Sequence, residues 1–300
     1  MRRIVLFLLC LLPLALGAAP ATRVVALAPS LAELVYALDA GPRLVGRTLH
    51  SETPEAVRTL PVVGPYFRPD IERIMALRPD LCLAIRDGTP QATVRRLRQL
   101  GVPVLELAPE TFEGLAETLL CLGHALGVEA KAERAVTLLR DRLAAMDRQI
   151  RSIPENARPV VLLQVQALPP MFAGADTFCG DLIRRAGGRN PLSGPLPYPL
   201  LDVEDVLALR PDVILIPDMV RADEAQALWR RFPAIPAVRH GRIHVVSADV
   251  FNQPTLRSLD ALETLHALLY PPKESSTSTG GPALTMSSAP GGMQSVTKTN

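Results

Sequence analysis

Residues 70–84 read DIERIMALRPDLCLA, and residues 202–216 repeat the pattern as DVEDVLALRPDVILI. Eight of the fifteen positions are identical, and most of the others exchange one apolar residue for another. Each copy predicts a short helix that begins after an aspartate and ends before Arg-Pro, because the residue before proline avoids helical geometry. A short buried strand follows the helix in both copies. Two copies of one helix–strand unit, 132 residues apart, predict two similar lobes.

Short apolar segments alternate with helical patterns around both copies. Strands are predicted at 24–27, 81–85, 104–107, 160–165, 213–217 and 243–246. Strands that are separated by helices need crossover connections, which favour mostly parallel sheets. The predicted fold class is therefore α/β, with two Rossmann-like lobes. Ser30, followed three residues later by Glu33, predicts a capping box at the start of the first helix.

The longest helical pattern runs from about Glu129 to Ile153 and is followed by Pro154. Its apolar residues recur at steps of three and four, and it would be roughly 37 Å long at 1.5 Å per residue. A helix of this length can join two lobes rigidly, although a long surface helix of one domain would show the same periodicity. The predicted organisation is a lobe at 23–127, a linking helix at 128–154 and a second lobe at 155–271.

Both ends of the chain differ from the lobes. Arg2 and Arg3 precede an apolar run from Ile4 to Leu16, and small residues follow, so residues 1–19 predict a secretory signal peptide. The run is shorter than the ~20 residues that a membrane anchor would need. The protein is therefore expected in the periplasm of a two-membrane bacterium. Residues 272–300 are rich in Ser, Thr, Gly and Pro and predict a disordered tail.

The composition argues against several classes of protein. Basic and acidic residues nearly cancel, 32 against 30, which leaves no charge excess to attract nucleic acid. The sequence contains no P-loop, G-x-S-x-G, G-x-G-x-x-G or H-E-x-x-H motif, so an exported α/β enzyme stays only as the alternative from a different class. After signal cleavage, Cys82, Cys121 and Cys179 could form at most one intramolecular disulfide.

Glu72 and Glu204 occupy equivalent positions in the first turn of the two repeated helices. Acidic side chains in a first turn stabilise the positive end of the helix dipole by about 0.3–1 kcal/mol, and this alone can account for both. Alternatively, two carboxylates on matching lobes present a paired acidic surface to a basic partner with two-fold symmetry. The residues themselves do not separate these two interpretations.

The repeated segment, the helical linker and the Gly187-Gly188-Arg189-Asn190 sequence resemble the helical-backbone periplasmic binding proteins. This family serves ABC importers of cobalamin, ferric siderophores and haem, and the resemblance covers about residues 23–271. It implies that the chain binds a large metal-containing ligand between its lobes as a monomer and delivers it to an inner-membrane ABC permease dimer. In the family, the glutamates that match Glu72 and Glu204 contact arginines of the permease.

The resemblance also implies a set of ligand-binding residues. Positions that match the cleft of the cobalamin-binding members are His50, Tyr66, Ile85, Tyr198 and Phe251. Tyr66 lies six residues before Glu72, and Tyr198 lies six before Glu204, so the two tyrosines are placed equivalently. Cobalamin has extensive apolar faces, which aromatic walls suit. The cobalamin-binding members have tryptophans where this chain has Tyr66, Ile85 and Tyr198.

Cobalamin is the first choice of ligand, with a ferric siderophore or haem as alternatives within the same family. Arg68 and Arg86 are candidate basic groups for an anionic siderophore, and both can equally be solvated surface residues. His50 is a candidate ligand of haem iron or cobalt, against the alternative of a loop histidine bonded to backbone. No catalytic residue, resident metal or cofactor is expected.

Overall fold

The computed structural model describes residues 19–86, 88–219 and 221–271. The predicted tail and the signal peptide up to residue 18 lie outside the described residues. The chain forms two four-stranded sheets. The first contains β1 Val24–Ala26, β2 Leu44–Gly46, β3 Leu81–Ile85 and β4 Val104–Leu107, in the order β2-β1-β3-β4. The second contains β5 Val161–Gln166, β6 Met171–Phe172, β7 Val213–Pro217 and β8 Ile243–Val246, in the order β6-β5-β7-β8.

All the strand pairs are parallel except β5 with the short β6. The helices around the first sheet are α1 Pro29–Ala37, α2 Ile71–Ala76, α3 Gln91–Gln99 and α4 Phe112–Ala125. Those around the second are α6 Phe178–Arg185, α7 Val203–Leu209, α8 Ala222–Arg230, α9 Pro236–Arg239, α10 Ala248–Phe251 and α11 Ser258–Leu269. The predicted α/β class with mostly parallel sheets is confirmed.

The helix α5 Glu129–Ile150 lies between the two sheets in the chain. Its 22 residues give a length of about 33 Å, three residues shorter than the sequence predicts. It packs against α4, α6 and α11, so it contacts helices of both lobes. Its apolar stripe of Ala132, Val136, Leu139, Leu143 and Met146 is buried in a core that also contains residues of both sheets. The linker is thus a packed part of the molecule.

The repeated segment builds the same local structure twice. Asp70 accepts hydrogen bonds from the amides of residues 72 and 73 in α2, and Asp202 caps α7 through the amide of residue 205. Arg78 and Arg210 both adopt a left-handed backbone conformation, with φ of 47° and 51°, and end the two helices. The Arg-Pro-Asp sequence therefore turns the chain from helix into strand in each lobe.

The second aspartate of each copy fastens a neighbouring strand. Asp80 accepts hydrogen bonds from the amides of Thr22 and Arg23, both at 2.9 Å, just before β1. Asp212 accepts one from the amide of Val160 at 2.8 Å, just before β5. Burial tends to raise the pKa of Asp80, but these hydrogen bonds outweigh it and hold the pKa below its ordinary value. The second aspartate of each repeat therefore helps to align β3 with β1 and β7 with β5.

Two local expectations are wrong. Helix α1 begins at Pro29 with Ala28 as its N-cap and has no side-chain cap, so Ser30 and Glu33 do not form a capping box. Both are buried within the helix, and Glu33 faces the opposite lobe instead. The helical pattern around Trp229 predicts that this side chain packs at the periphery, whereas it is fully buried and its indole N–H donates to Gln164 Oε1 at 2.7 Å. It belongs to an apolar cluster that also contains Ile214 and Ile216 of β7.

Across the described ranges, no helix is both long and apolar enough to cross a membrane.

Candidate ligand cleft

The carboxyl ends of strands from both sheets meet at a crevice between the lobes. The N-terminal lobe contributes Pro29 and Glu33 after β1 and His50, Glu52 and Thr53 after β2, and the C-terminal lobe contributes Asp249 and Gln253 after β8. Parallel α/β sheets bind ligands at this edge, because the loops that follow the strands converge there. The crevice therefore lies where a ligand site between the lobes is expected.

Glu33 is the most deeply buried carboxylate of the crevice, with 8% of its surface exposed. Its Oε2 accepts a hydrogen bond from Arg257 Nη1 of the opposite lobe at 3.4 Å. Burial raises the pKa of Glu33, and Thr255 and Arg257 beside it offset only part of that effect. Thr255 itself is fully buried, and its hydroxyl lies near the carboxylate without meeting hydrogen-bond geometry. The described residues thus give this carboxylate one long hydrogen bond.

The two predicted tyrosines come from opposite lobes and are close enough to influence each other electrostatically. Tyr66 exposes 46% of its surface and Tyr198 exposes 47%. Although half of Tyr198 is open, protein surrounds it at longer range, and this burial raises its pKa to about 12. Repulsion by Cys179, Tyr66 and Glu110 adds to the increase. Tyr198 is therefore a neutral phenol at physiological pH.

The other three predicted ligand residues differ in accessibility. His50 is exposed, has a left-handed φ of 67° and lines the crevice. Ile85 is the last residue of β3 and is half-buried. Phe251 is 4% exposed, and its carbonyl faces the thiol of Cys179 at 3.6 Å, so it lies beneath the cleft surface. Little of the Phe251 side chain is therefore available to contact a ligand.

Further exposed apolar side chains adjoin the two tyrosines along the chain. Phe67 is 65% exposed and packs edge-on against Tyr66, with the ring centroids 5.9 Å apart. Leu196 and Leu200 flank Tyr198 and are 65% and 56% exposed. Each lobe therefore exposes apolar surface next to its tyrosine.

A buried contact joins the lobes beneath the cleft. The carboxylate of Asp181 in α6 accepts a hydrogen bond from the amide of Phe112 in α4 at 2.9 Å. The rings of Phe112 and Phe178 pack with their centroids 5.1 Å apart. Asp181 also pairs with Arg184 and Arg185 of its own helix. The start of α4 and the start of α6 are therefore fixed to each other.

The lobes present Glu72 and Glu204 on exposed first turns of α2 and α7. Their surroundings differ, because residue 73 is an arginine and residue 205 is an aspartate. Arg73 pairs with Asp70 at 3.3 Å, whereas Asp205 accepts a hydrogen bond from the amide of Asp202. The C-terminal tip therefore carries more uncompensated negative charge than the N-terminal tip.

Residues 24–250 match the sequence profile of periplasmic binding proteins. The chain belongs to the periplasmic binding protein family. Members of this family bind small ligands for ABC permeases. The vitamin B12-binding protein of Yersinia pestis (strain Pestoides F) is 30% identical over 255 residues, which span 84% of this chain and 88% of that protein.

Two solved structures of periplasmic binding proteins extend the comparison. The periplasmic vitamin B12 binding protein of Vibrio cholerae gives a TM-score of 0.76 at 28% identity, over 83% of this chain and 97% of that chain. A periplasmic heme binding protein from Pseudomonas aeruginosa gives a TM-score of 0.75 at 31% identity, over 84% of this chain and 94% of that chain. The predicted family and fold are confirmed.

Several residues of this periplasmic binding protein's cleft were not found from the sequence. Glu33, Glu52 and Asp249 line the crevice, and the buried Oε1 of Glu110 has no hydrogen-bond partner within the described residues. All of them follow the carboxyl end of a strand, so the sheet topology is the signal that would have indicated them. Among the described side chains, no group of three His, Cys, Asp or Glu residues is placed to hold a metal ion.

Proposed function

We propose that this periplasmic binding protein captures cobalamin between its lobes and delivers it to an ABC permease. The observation that carries the proposal is the pair of half-exposed tyrosines, one from each lobe, which are close enough to influence each other electrostatically. Aromatic side chains with adjoining exposed leucines and phenylalanine suit a large ligand with apolar faces. The relatives named for vitamin B12 binding support this choice.

Haem is the second candidate, and one observation favours it. The Pseudomonas aeruginosa heme binding protein is as similar to this chain as the vitamin B12 binding proteins are. A tyrosine oxygen can ligate haem iron, and both cleft tyrosines are about half-exposed. A ferric siderophore is supported only by Arg68 and Arg86, which are exposed and make no ion pair within the described residues.

The test is a titration of the purified mature protein with cyanocobalamin, haemin and a ferric siderophore by calorimetry. Saturable one-to-one binding of cyanocobalamin, tighter than that of the other two, is the expected result. Leu138→Ala is a matched control, because Leu138 is 53% exposed on α5 and outside the crevice lining. Binding of haemin or siderophore alone would replace the proposed ligand. Turnover of a substrate without binding any of them would favour an enzyme.

For the partner, we infer that Glu72 and Glu204 contact arginines of a permease dimer, with the binding protein acting as a monomer. Both glutamates are exposed and lie on equivalent turns of the two lobes. A surface with approximate two-fold symmetry suits a two-fold symmetric partner. The periplasm is the compartment in which such a permease would be met, and removal of the signal peptide belongs to the same proposal.

A further inference from the structure

We infer that Glu33 is a specificity-determining residue, which accepts a hydrogen bond from an N–H or O–H group at the ligand's edge. The crevice would thereby favour a ligand with amide-bearing arms over one with carboxylates or other anionic groups. The inference deepens the proposed function and rests on it for the position of the ligand. It starts from a carboxylate that lines the crevice while 92% of its surface is buried, since 8% is exposed.

An ionised carboxylate has about four acceptor sites. Only Arg257 donates to Glu33 among the described residues, and it does so to one oxygen at 3.4 Å. Neither oxygen of Glu33 is sealed from the crevice without a partner, whereas the Thr255 hydroxyl beside it is. The second oxygen of Glu33 is therefore reachable from the crevice, and a donor on the ligand can bond to it there.

The charges around Glu33 fix the kind of ligand group. Glu52 and Asp249 line the same crevice, one from each lobe, and add negative charge. The cations that offset them, Arg257 beside Glu33 and Arg58 at 3.6 Å from Glu52, are not part of the crevice lining. A ligand carboxylate at this place would meet carboxylate oxygens, whereas an amide N–H would meet acceptors.

Arg257 acts as a positioning residue for this carboxylate. It comes from the opposite lobe, and its side chain is about one-third exposed while that of Glu33 is 10% exposed. Its positive charge lowers the pKa of Glu33 and so offsets part of the effect of burial, which raises it. Thr255 and Asp249 are the other groups from the C-terminal lobe that act on Glu33 electrostatically, and His50 and Glu52 face it from its own lobe.

The experiment compares ligands that differ only in an amide or a carboxylate. Cyanocobalamin and its monocarboxylic acid isomers, each with one side-chain amide hydrolysed, are titrated into the wild type and Glu33→Gln. We expect at least one isomer to bind the wild type about tenfold more weakly than cyanocobalamin. Because glutamine carries no charge, the ratio of the isomer's dissociation constant to that of cyanocobalamin should fall towards one in Glu33→Gln. Glu117→Gln is the matched control, since it removes the same charge from an exposed position on α4, outside the crevice lining, where solvent screens it.

A purely structural role for Glu33 would weaken binding of the amide and the acid equally and leave the ratio unchanged. That result, or isomers that all bind the wild type like cyanocobalamin, would overturn the inference. If the wild type does not bind cyanocobalamin, the proposed ligand fails, and haemin and its dimethyl ester take its place. Preference for the ester in the wild type but not in Glu33→Gln would support the role of Glu33. Preference for the free acid, or for an anionic siderophore irrespective of residue 33, would contradict it.

Discussion

At the scale of single residues, the cleft tyrosines separate the two candidate ligands. If the ligand is cobalamin, the rings act by apolar contact, so Tyr66→Phe and Tyr198→Phe should keep the affinity and each alanine variant should lower it about tenfold. If the ligand is haem and a phenol ligates the iron, the phenylalanine variant at that position should lose both affinity and the wild-type visible spectrum. Calorimetry with each ligand and absorption spectra of the complexes measure these outcomes.

Glu33 has a cost in stability as well as a proposed role in binding. Its pKa in the folded protein is raised, so the folded state binds a proton more tightly than the unfolded chain does. The stability that this provides is present below the ordinary pKa of 4.5 and is lost as pH rises through the raised value. We therefore expect Glu33→Gln to melt no lower than the wild type at neutral pH.

Thermal melts from about pH 4 to pH 8 test this expectation, since the linkage acts across the pKa window of the group. The melting temperature of the wild type should rise relative to that of Glu33→Gln as the pH falls. A variant that is much less stable than the wild type at neutral pH would show that the ion pair with Arg257 outweighs the burial of the charge.

At the scale of secondary-structure elements, the repeated Arg-Pro-Asp turn is a stability device. Asp80 accepts two backbone hydrogen bonds that align β1 with β3. Asp80→Ala should lower the free energy of unfolding by about 1–2 kcal/mol, because two strand amides lose a charged acceptor. Since the pKa of Asp80 is lowered, its contribution is present above 3.8 and is lost as pH falls through the lowered value.

Denaturant unfolding at neutral and acidic pH measures the effect of Asp80→Ala. Asp141→Ala is its control, because Asp141 is exposed on α5. Equal stability of the two variants would show that the strands align without this carboxylate.

The helices α2 and α7 are the elements on which docking is proposed. Glu72→Ala combined with Glu204→Ala should leave ligand affinity unchanged, because neither residue lines the crevice. Uptake by cells that carry the cognate permease should be lost. Glu117→Ala with Glu133→Ala removes the same charge from exposed positions on α4 and α5 and should leave uptake intact. Normal uptake by the first variant would show that the two glutamates are not needed for docking and only stabilise the positive ends of their helix dipoles.

Elements with a strong local pattern were predictable from the sequence. The strands at 81–85, 104–107, 213–217 and 243–246 have the predicted bounds, because each is a short apolar run between clear breaks. The first helix was mispredicted at its start, since Ser30 and Glu33 satisfy a local rule while a tertiary contact uses Glu33 differently. The crevice residues carry no local motif, and only the meeting of strand ends from two sheets brings them together.

At the scale of the whole molecule, two features argue for limited movement between the lobes. One apolar core runs from the first sheet through α5 to the second sheet. Asp181 and Phe112 fix α6 to α4 at the base of the cleft. Movement of one lobe against the other would have to break these contacts as well as bend α5.

We therefore expect the radius of gyration of the mature protein, about 19 Å for a compact chain of this size, to change by less than ~1 Å when ligand binds. Small-angle X-ray scattering with and without ligand measures this, and an unliganded melting control confirms that the protein is folded. A decrease of several ångströms would show a large closing motion and would reject the rigid linker.

Trp229 gives the molecule a natural optical reporter. It is the only tryptophan in the sequence, and it is sealed in the core of the C-terminal lobe against Phe172 and Gln164. Its emission therefore registers the melting of that lobe alone, whereas circular dichroism registers the helices of both. Since the shared core couples the lobes, both signals should give the same unfolding midpoint along a denaturant series. Different midpoints would show that one lobe stays folded after the other has unfolded.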